Sequence, residues 1–282
     1  MKKLQQDPGI LFLILGFLGL TLFYLWPFLL SLWYAFADKP VNGTFVGLKN
    51  FIDLFHNKPY LLGLKNTLIF IGMSVPAGIL LALIVAMLIH RVEKKKELFT
   101  LIFLIPLVIP SGSMVFFWKA LFVSDGYING VLASIGLSGV HWFETSAVRY
   151  VVVLIFIWKN LGYNMVLFMA GLHNIPKEYY EAAAVDGASA LQTFFCVTLP
   201  NLIPMFVLVI IMSVINSFKV FKEIYLITGS YPHESIYMLQ HFMNNMLFSL
   251  NYQKLTTATC VLVLIIALMV QFLFRFERRA GI

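Results

Sequence analysis

The chain has 282 residues, 60% of them hydrophobic and 12% charged, with a formal net charge of +7. No soluble domain of this length needs so much apolar surface, and the apolar residues fall in long blocks rather than in the dispersed pattern of a large core. The two cysteines, Cys196 and Cys260, make neither a disulfide framework nor a metal site, the six histidines show no paired ligand spacing, and the basic excess suits a lipid surface better than nucleic acid.

A bilayer-spanning helix needs roughly 20 mostly apolar residues. Six blocks meet that length: about 10–36, 64–89, 98–121, 148–172, 202–221 and 255–274. An all-α polytopic membrane protein is therefore expected. The first block contains Ala35-Phe36-Ala37, which mimics a signal-peptidase site, but its apolar region is about twice the length of a signal peptide's, so an uncleaved anchor is expected. Trp26, Trp33 and Tyr34 suit an outer aromatic belt. Pro27, Pro76, Pro106 and Pro110 fall in or near spans, where kinks are tolerated. Six crossings put both termini on one side, together with the basic clusters Lys2 and Lys3, Arg91 with Lys94, Lys95 and Lys96, and Arg275 with Arg278 and Arg279. By the positive-inside tendency that side is the cytoplasm, and the connection 173–200 lies there too. The expected organisation is an anchor helix with an outer loop over 1–63 and a core transmembrane domain over 64–282.

Between the fourth and fifth spans the chain reads EYYEAAAVDGASALQTFFCVTLP from Glu178 to Pro200. Pro176 stands where a helix can begin, with Asn174 or a neighbour as its cap, and Glu178 and Glu181 share a face near the positive end of the helix dipole. Tyr180, Ala183, Ala184 and Gly187 follow the i, i+3, i+4, i+7 rhythm, forming a small-residue stripe that permits close approach by a partner. Gly187 can end this helix in left-handed geometry, and 188–197 can form a second one. A lipid-resting amphipathic helix would carry more large apolar residues and lysine.

Polar groups inside spans are costly and face the protein or a watery path. Lys159, Asn160 and Asn164 cluster in span four, while Asn216 and Lys219 share a face toward the outer end of span five; these are the substrate-path candidates. Their alternative roles are snorkelling and helix joining. Trp118, Tyr163 and Phe218 offer stacking faces. Between spans five and six, His241, Asn244 and Asn245 with Phe242, Met246 and Leu247 make a short amphipathic helix at the outer surface, contacting a partner or plugging a gate. Outer loop 127–139 carries the same alternatives.

Glu181-Ala182-Ala183, Asp186-Gly187-Ala188 and Leu199-Pro200 resemble the EAA loop of bacterial ABC importer permeases. Trp158-Lys159, Gly162, Ala170-Gly171-Leu172 and Ile175-Pro176 resemble the carbohydrate-uptake branch, on the side of the maltose-type first permease. Val46-Gly47-Leu48-Lys49-Asn50-Phe51, Asn66-Thr67-Leu68, Leu104-Ile105-Pro106 and Leu226-Ile227-Thr228-Gly229 extend the similarity over nearly the whole chain. Where the family often has Thr-x-Gly-Gly-Pro after the fifth span, this chain has Thr228-Gly229-Ser230-Tyr231-Pro232, and it is expected to do without the long extra N-terminal segment of some relatives.

The resemblance implies a type I ABC importer transmembrane fold in the bacterial inner membrane. It implies a second permease as a heterodimer partner, a cytoplasmic ATPase dimer and an extracytoplasmic substrate-binding protein. It makes the elbow the coupling helix, with Glu181 as polar anchor in an ATPase cleft, Ala182 and Ala183 packing closely, Gly187 as the bend, and Tyr180 and Asp186 beside them. Carbohydrate as cargo also comes from the resemblance. The chain lacks a G-x-x-x-x-G-K-[ST] phosphate cradle and any G-x-S-x-G elbow, so no catalytic residue, cofactor or metal is expected on it and ATP hydrolysis is assigned to a partner. The rival is an ion-gradient-driven secondary carrier, which is disfavoured by the lack of an internal repeat and of Asp or Glu inside the six blocks.

Overall fold

The computed structural model describes the backbone of residues 8–92 and 94–279 and the side chains of residues 12–92 and 94–278; Lys2, Lys3 and the side chain of Arg279 lie outside these. In chain order the helices are α1 (Pro8–Leu20), α2 (Trp26–Phe36), α3 (Lys49–Phe55), α4 (Lys58–His90), α5 (Lys96–Val108), α6 (Ser111–Phe122), α7 (Tyr127–Ser134) and α8 (Val148–His173). They continue as α9 (Lys177–Val185), α10 (Ala190–Thr193), α11 (Leu199–Asn201), α12 (Ile203–Lys219), α13 (Phe221–Thr228), α14 (Leu239–Phe248) and α15 (Tyr252–Arg279). Apart from one isolated bridge between Ala37 and Phe45, the described residues form an all-α protein.

Among the described residues, five helical stretches are long and apolar enough to cross a membrane: Phe12–Phe36, Lys58–His90, Val148–His173, Ile203–Thr228 and Tyr252–Arg278. The expected third span differs. Lys96–Val108 and Ser111–Ser134 meet at 95°, so this crossing is a broken one, and counting it makes six. The break falls at Pro110, which caps α6 with extended backbone, whereas Pro76 and Pro106 are carried inside unbroken helices. Two π turns, Thr21–Leu25 and Phe194–Thr198, each end two residues before a proline, Pro27 and Pro200. A proline ring removes one ladder hydrogen bond and crowds the carbonyl four residues back, and the wider turn accommodates it.

The chain divides into two compact units, Met1–Leu61 with Met243–Ile266, and Leu62–Phe242 with Ala267–Ile282. In the first, Asn50 donates to the carbonyls of Ala35 (3.0 Å) and Ala37 (2.8 Å), closing the loop after α2 onto α3; both alanines are fully buried. Trp26 and Trp33 are exposed, as is most of the first span's apolar surface, which suits contact with lipid.

The second unit is organised on α8, half of whose apolar window is buried. Its buried positions Val148, Val151, Val152, Ile155, Phe156, Met165, Phe168 and Leu172 recur at the three-four spacing of a helix packed along its length. Against Met165, Phe168 and Leu172 lie Val75, Ile79, Ala82, Leu83 and Ala86 of α4 and Val209 and Val214 of α12, while Val148, Val152 and Phe156 pack with Phe70, Val220 and Ile224, and Val151 and Ile155 with Met114, Trp118 and Phe122. Between apolar helices in lipid, close packing does the work that water exclusion does elsewhere. The tightest approach is at Gly162, where a Cβ would stand 1.9 Å from the carbonyl oxygen of Phe103 on α5.

Arg149, at the start of α8, donates to the carbonyl of Ser235 (3.0 Å) and to Oδ1 of Asn66 (3.2 Å). Asn66 in turn donates to the carbonyls of Glu234 (2.6 Å) and Tyr237 (3.0 Å), and Thr67 Oγ1 accepts the Leu239 N–H at 2.9 Å. The segment after α13 is thereby clamped to α4 and α8. Contrary to the expectation of a helix lying on the surface, Leu239, His241 and Phe242 at the head of α14 are buried.

Candidate functional site

The elbow between the fourth and fifth spans is a capped and tethered structure. Helix α9 starts after Pro176, which occupies the cap position itself, while Asn174 terminates α8 instead of capping α9. At its far end the Ala188 N–H reaches the Ala183 carbonyl (2.9 Å) and the Gly187 N–H reaches that of Ala184 (3.1 Å), the paired bonds of a Schellman turn, with Gly187 at φ +71°. The second helix begins at Ala190, two residues later than expected. Ser189 and Gln192 cap it reciprocally, through Ser189 N–H to Gln192 Oε1 (2.8 Å) and Gln192 N–H to Ser189 Oγ (3.4 Å).

Between the two helices opens a cavity of about 640 Å³ lined by Ala182, Ala183, Asp186, Gly187, Ala188 and the neighbouring Tyr179, among others. Glu181 is exposed beside it. The expected stripe divides here. Tyr180 turns inward, packs against the main core and pairs its hydroxyl with Thr198 Oγ1 at 3.3 Å, tying α9 to the chain that enters span five. Its neighbour Tyr179 is half exposed and lines the cavity instead. Val185, Leu191 and Phe195 stand 89%, 70% and 57% exposed on the same elbow, an apolar surface left open to a partner.

The second feature lies mid-span. Span five runs to Thr228, seven residues beyond its expected end at Phe221, and that extension carries Glu223. Contrary to the expectation from the shorter block 202–221, span five therefore holds a carboxylate. Glu223 is buried and forms an ion pair with Lys159 on α8, while its Oε1 accepts the Ser111 hydroxyl of α6 at 2.8 Å. Asn216 and Lys219 are moved from the outer end to the middle of the span by the same extension. Lys159, Asn160, Asn216, Lys219 and Glu223 line one cavity of about 130 Å³, with Leu107, Ile155, Phe156 and Val220 as apolar walls. Asn164 stays outside it, buried, with Nδ2 donating to Ser213 Oγ at 3.0 Å. Trp118 is committed to an aromatic cluster with Phe117, Phe122 and Trp158, and Phe218 packs against the main core, so neither offers a free stacking face.

A lysine at the centre of a spanning helix costs about 2.5–3.5 kcal/mol on insertion scales. Lys159 offsets that cost with Glu223. Lys219 has only an amide, donating to Asn216 Oδ1 at 3.0 Å, and no carboxylate pairs with it among the described residues.

The family model for the binding-protein-dependent transport system inner membrane component matches residues 74–281. The chain belongs to this family. It is thus an inner-membrane permease that works within a binding-protein-dependent transport system, and that membership decides against the secondary carrier where the missing carboxylate no longer can. Among relatives of this permease, the sn-glycerol-3-phosphate transport system permease protein UgpA of Yersinia pestis is 31% identical over 274 residues, covering 95% of this chain and 93% of that one. The probable ABC transporter permease protein YesP of Bacillus subtilis is 31% identical over 276 residues, covering 93% and 86%. A chain in the crystal structure of a bacterial ABC transporter involved in import of the acidic polysaccharide alginate superposes with a TM-score of 0.84 at 23% identity, covering 99% and 98%, which places the fold as that of an ABC importer permease.

Proposed function

We propose that this permease forms half of the translocation path of an importer for a carbohydrate or carbohydrate-like solute, and that a separate cytoplasmic ATPase dimer drives it through the elbow. A second permease completes the path, as a heterodimer, and an extracytoplasmic binding protein delivers the cargo. Both termini and the elbow face the cytoplasm, with residues 1–63 as an anchor and outer loop on a 64–282 core. Supporting the cargo class, relatives are described as permeases for sn-glycerol-3-phosphate and as part of an alginate importer.

The observation that carries the coupling role is the small-residue cavity of Ala182, Ala183, Gly187 and Ala188, held by the Schellman turn and the capping box at its bend and tied to the bundle by Tyr180. A knob from a partner can enter it, and a push on α9 passes through Tyr180 and Thr198 into span five. Glu181 stands exposed where it can accept hydrogen bonds from the partner. The test is Glu181→Lys in the full complex reconstituted in proteoliposomes. Uptake should fall at least tenfold, and loaded binding protein should no longer stimulate ATP hydrolysis, while membrane insertion is unchanged. Wild-type uptake in that variant rejects the coupling role.

A further inference from the structure

The mid-span cavity separates two lysines that the sequence presents alike. Lys159 is neutralised by Glu223, and Ser111 occupies the same carboxylate oxygen, so this part of the wall carries no net charge. Lys219 is left as the one lining cation without a carboxylate among the described residues. An ammonium has three N–H groups, and one is taken by Asn216 Oδ1. Two donors of Lys219 and the amide N–H groups of Asn216 remain. Asn160 spends an amide N–H on the Phe156 carbonyl at 2.8 Å. The cavity thus presents an excess of donors and one uncompensated positive charge.

We infer that Lys219 and Asn216 form a subsite for one anionic group, a carboxylate or phosphate, carried by the cargo as it passes mid-membrane. This rests on the translocation-path reading above. At about 130 Å³ the cavity is well below the roughly 300–1,000 Å³ of clefts that bury a whole small molecule, so it takes one functional group and its waters. The ammonium is a compact point charge with rotatable donors, which suits either oxyanion. A lipid headgroup is disfavoured by depth. Lys219 stands nine residues before the end of its span at Thr228, about 14 Å along a helix, further than its stem reaches.

The test uses the complete complex in phosphatidylcholine nanodiscs, from a preparation whose ATP-driven uptake has been measured. Lys219 is acetylated with a water-soluble amine reagent and its labelling rate is read by peptide mass spectrometry. Inorganic phosphate should slow labelling at least threefold at constant ionic strength, acetate should slow it less, and glycerol should leave it unchanged. Asn216→Leu, checked for assembly by size exclusion, should lose most of the protection. Equal labelling with and without phosphate overturns the subsite, as does equal protection by glycerol. Protection by phosphatidylglycerol nanodiscs without added phosphate assigns the site to lipid and overturns the cargo role. A Lys219 that resists labelling in every condition is paired with an acidic group of a neighbouring subunit, which also overturns it. A preparation without ATP-driven uptake indicts the path reading instead, so the two failures are distinguishable.

Discussion

Removing either partner of the Lys159–Glu223 pair should destabilise the permease, and removing both should not. Glu223 is 4% exposed and Lys159 23% exposed. Breaking a buried ion pair from one side costs about 3–5 kcal/mol, because the charge left behind has lost its partner and cannot regain water. Lys159→Met strands the less accessible group, with only the Ser111 hydroxyl at 2.8 Å to satisfy it, and belongs at the upper end of that range. Glu223→Leu leaves an ammonium that reaches the cavity and belongs at the lower end. With about 2–4 °C per kcal/mol for chains of roughly this size, the single changes should lower the melting midpoint by about 6–20 °C. The double variant Lys159→Met with Glu223→Leu exchanges the pair for apolar groups of similar bulk and should return to within a few degrees of wild type. Fluorescence-detected size exclusion of the heated complex measures all four proteins. Single variants at the wild-type midpoint, or a double variant whose shift equals the sum of the singles, would refute the coupling of these charges.

Gly162→Ala should lose about 1–3 kcal/mol and much of its folded yield, since its Cβ meets the Phe103 carbonyl oxygen at 1.9 Å, whereas Gly130→Ala, with nothing within 4 Å, should melt like wild type. Gly187→Ala puts an L-residue at φ +71°, which costs about 1 kcal/mol and should loosen the elbow, read as faster proteolysis there. Burial pushes the His241 imidazole down to about 4 from its ordinary 6.5, so the folded chain binds fewer protons than the unfolded one between those values. Stability should therefore fall as pH drops from 6.5 to 4, by about 3 kcal/mol in full. His241→Gln should flatten that part of the stability profile.

The elbow was legible because its signals are local. Pro176, the run of alanines and Gly187 each act within one turn of the chain, whereas the Ser189–Gln192 capping box, an equally local sign, went unread and the second helix was expected two residues early. Tyr180 was misplaced on the outward stripe because periodicity gives a face but not which face the bundle claims. The Glu223 contact was not legible, since a hydropathy window closes the span at Phe221 and the residue that lets a carboxylate lie beyond it, Lys159, is 64 positions away. The Arg149–Asn66 clamp was missed for the same reason, although an arginine at the first turn of an apolar block was a usable sign. Pro110 marked a kink in span three, but its 95° angle depends on what α6 packs against.

The coupling role of the elbow is tested most directly by a crosslink from Ala182→Cys, which lines the elbow cavity, with the native Cys196 of the same cavity changed to serine. With a short thiol-to-amine reagent in membranes containing the complete transporter, the account predicts capture of the ATP-hydrolysing subunit, with a yield that changes when ATP is added. Capture of extracytoplasmic protein alone, or no capture in a transporter that still takes up cargo, would contradict it.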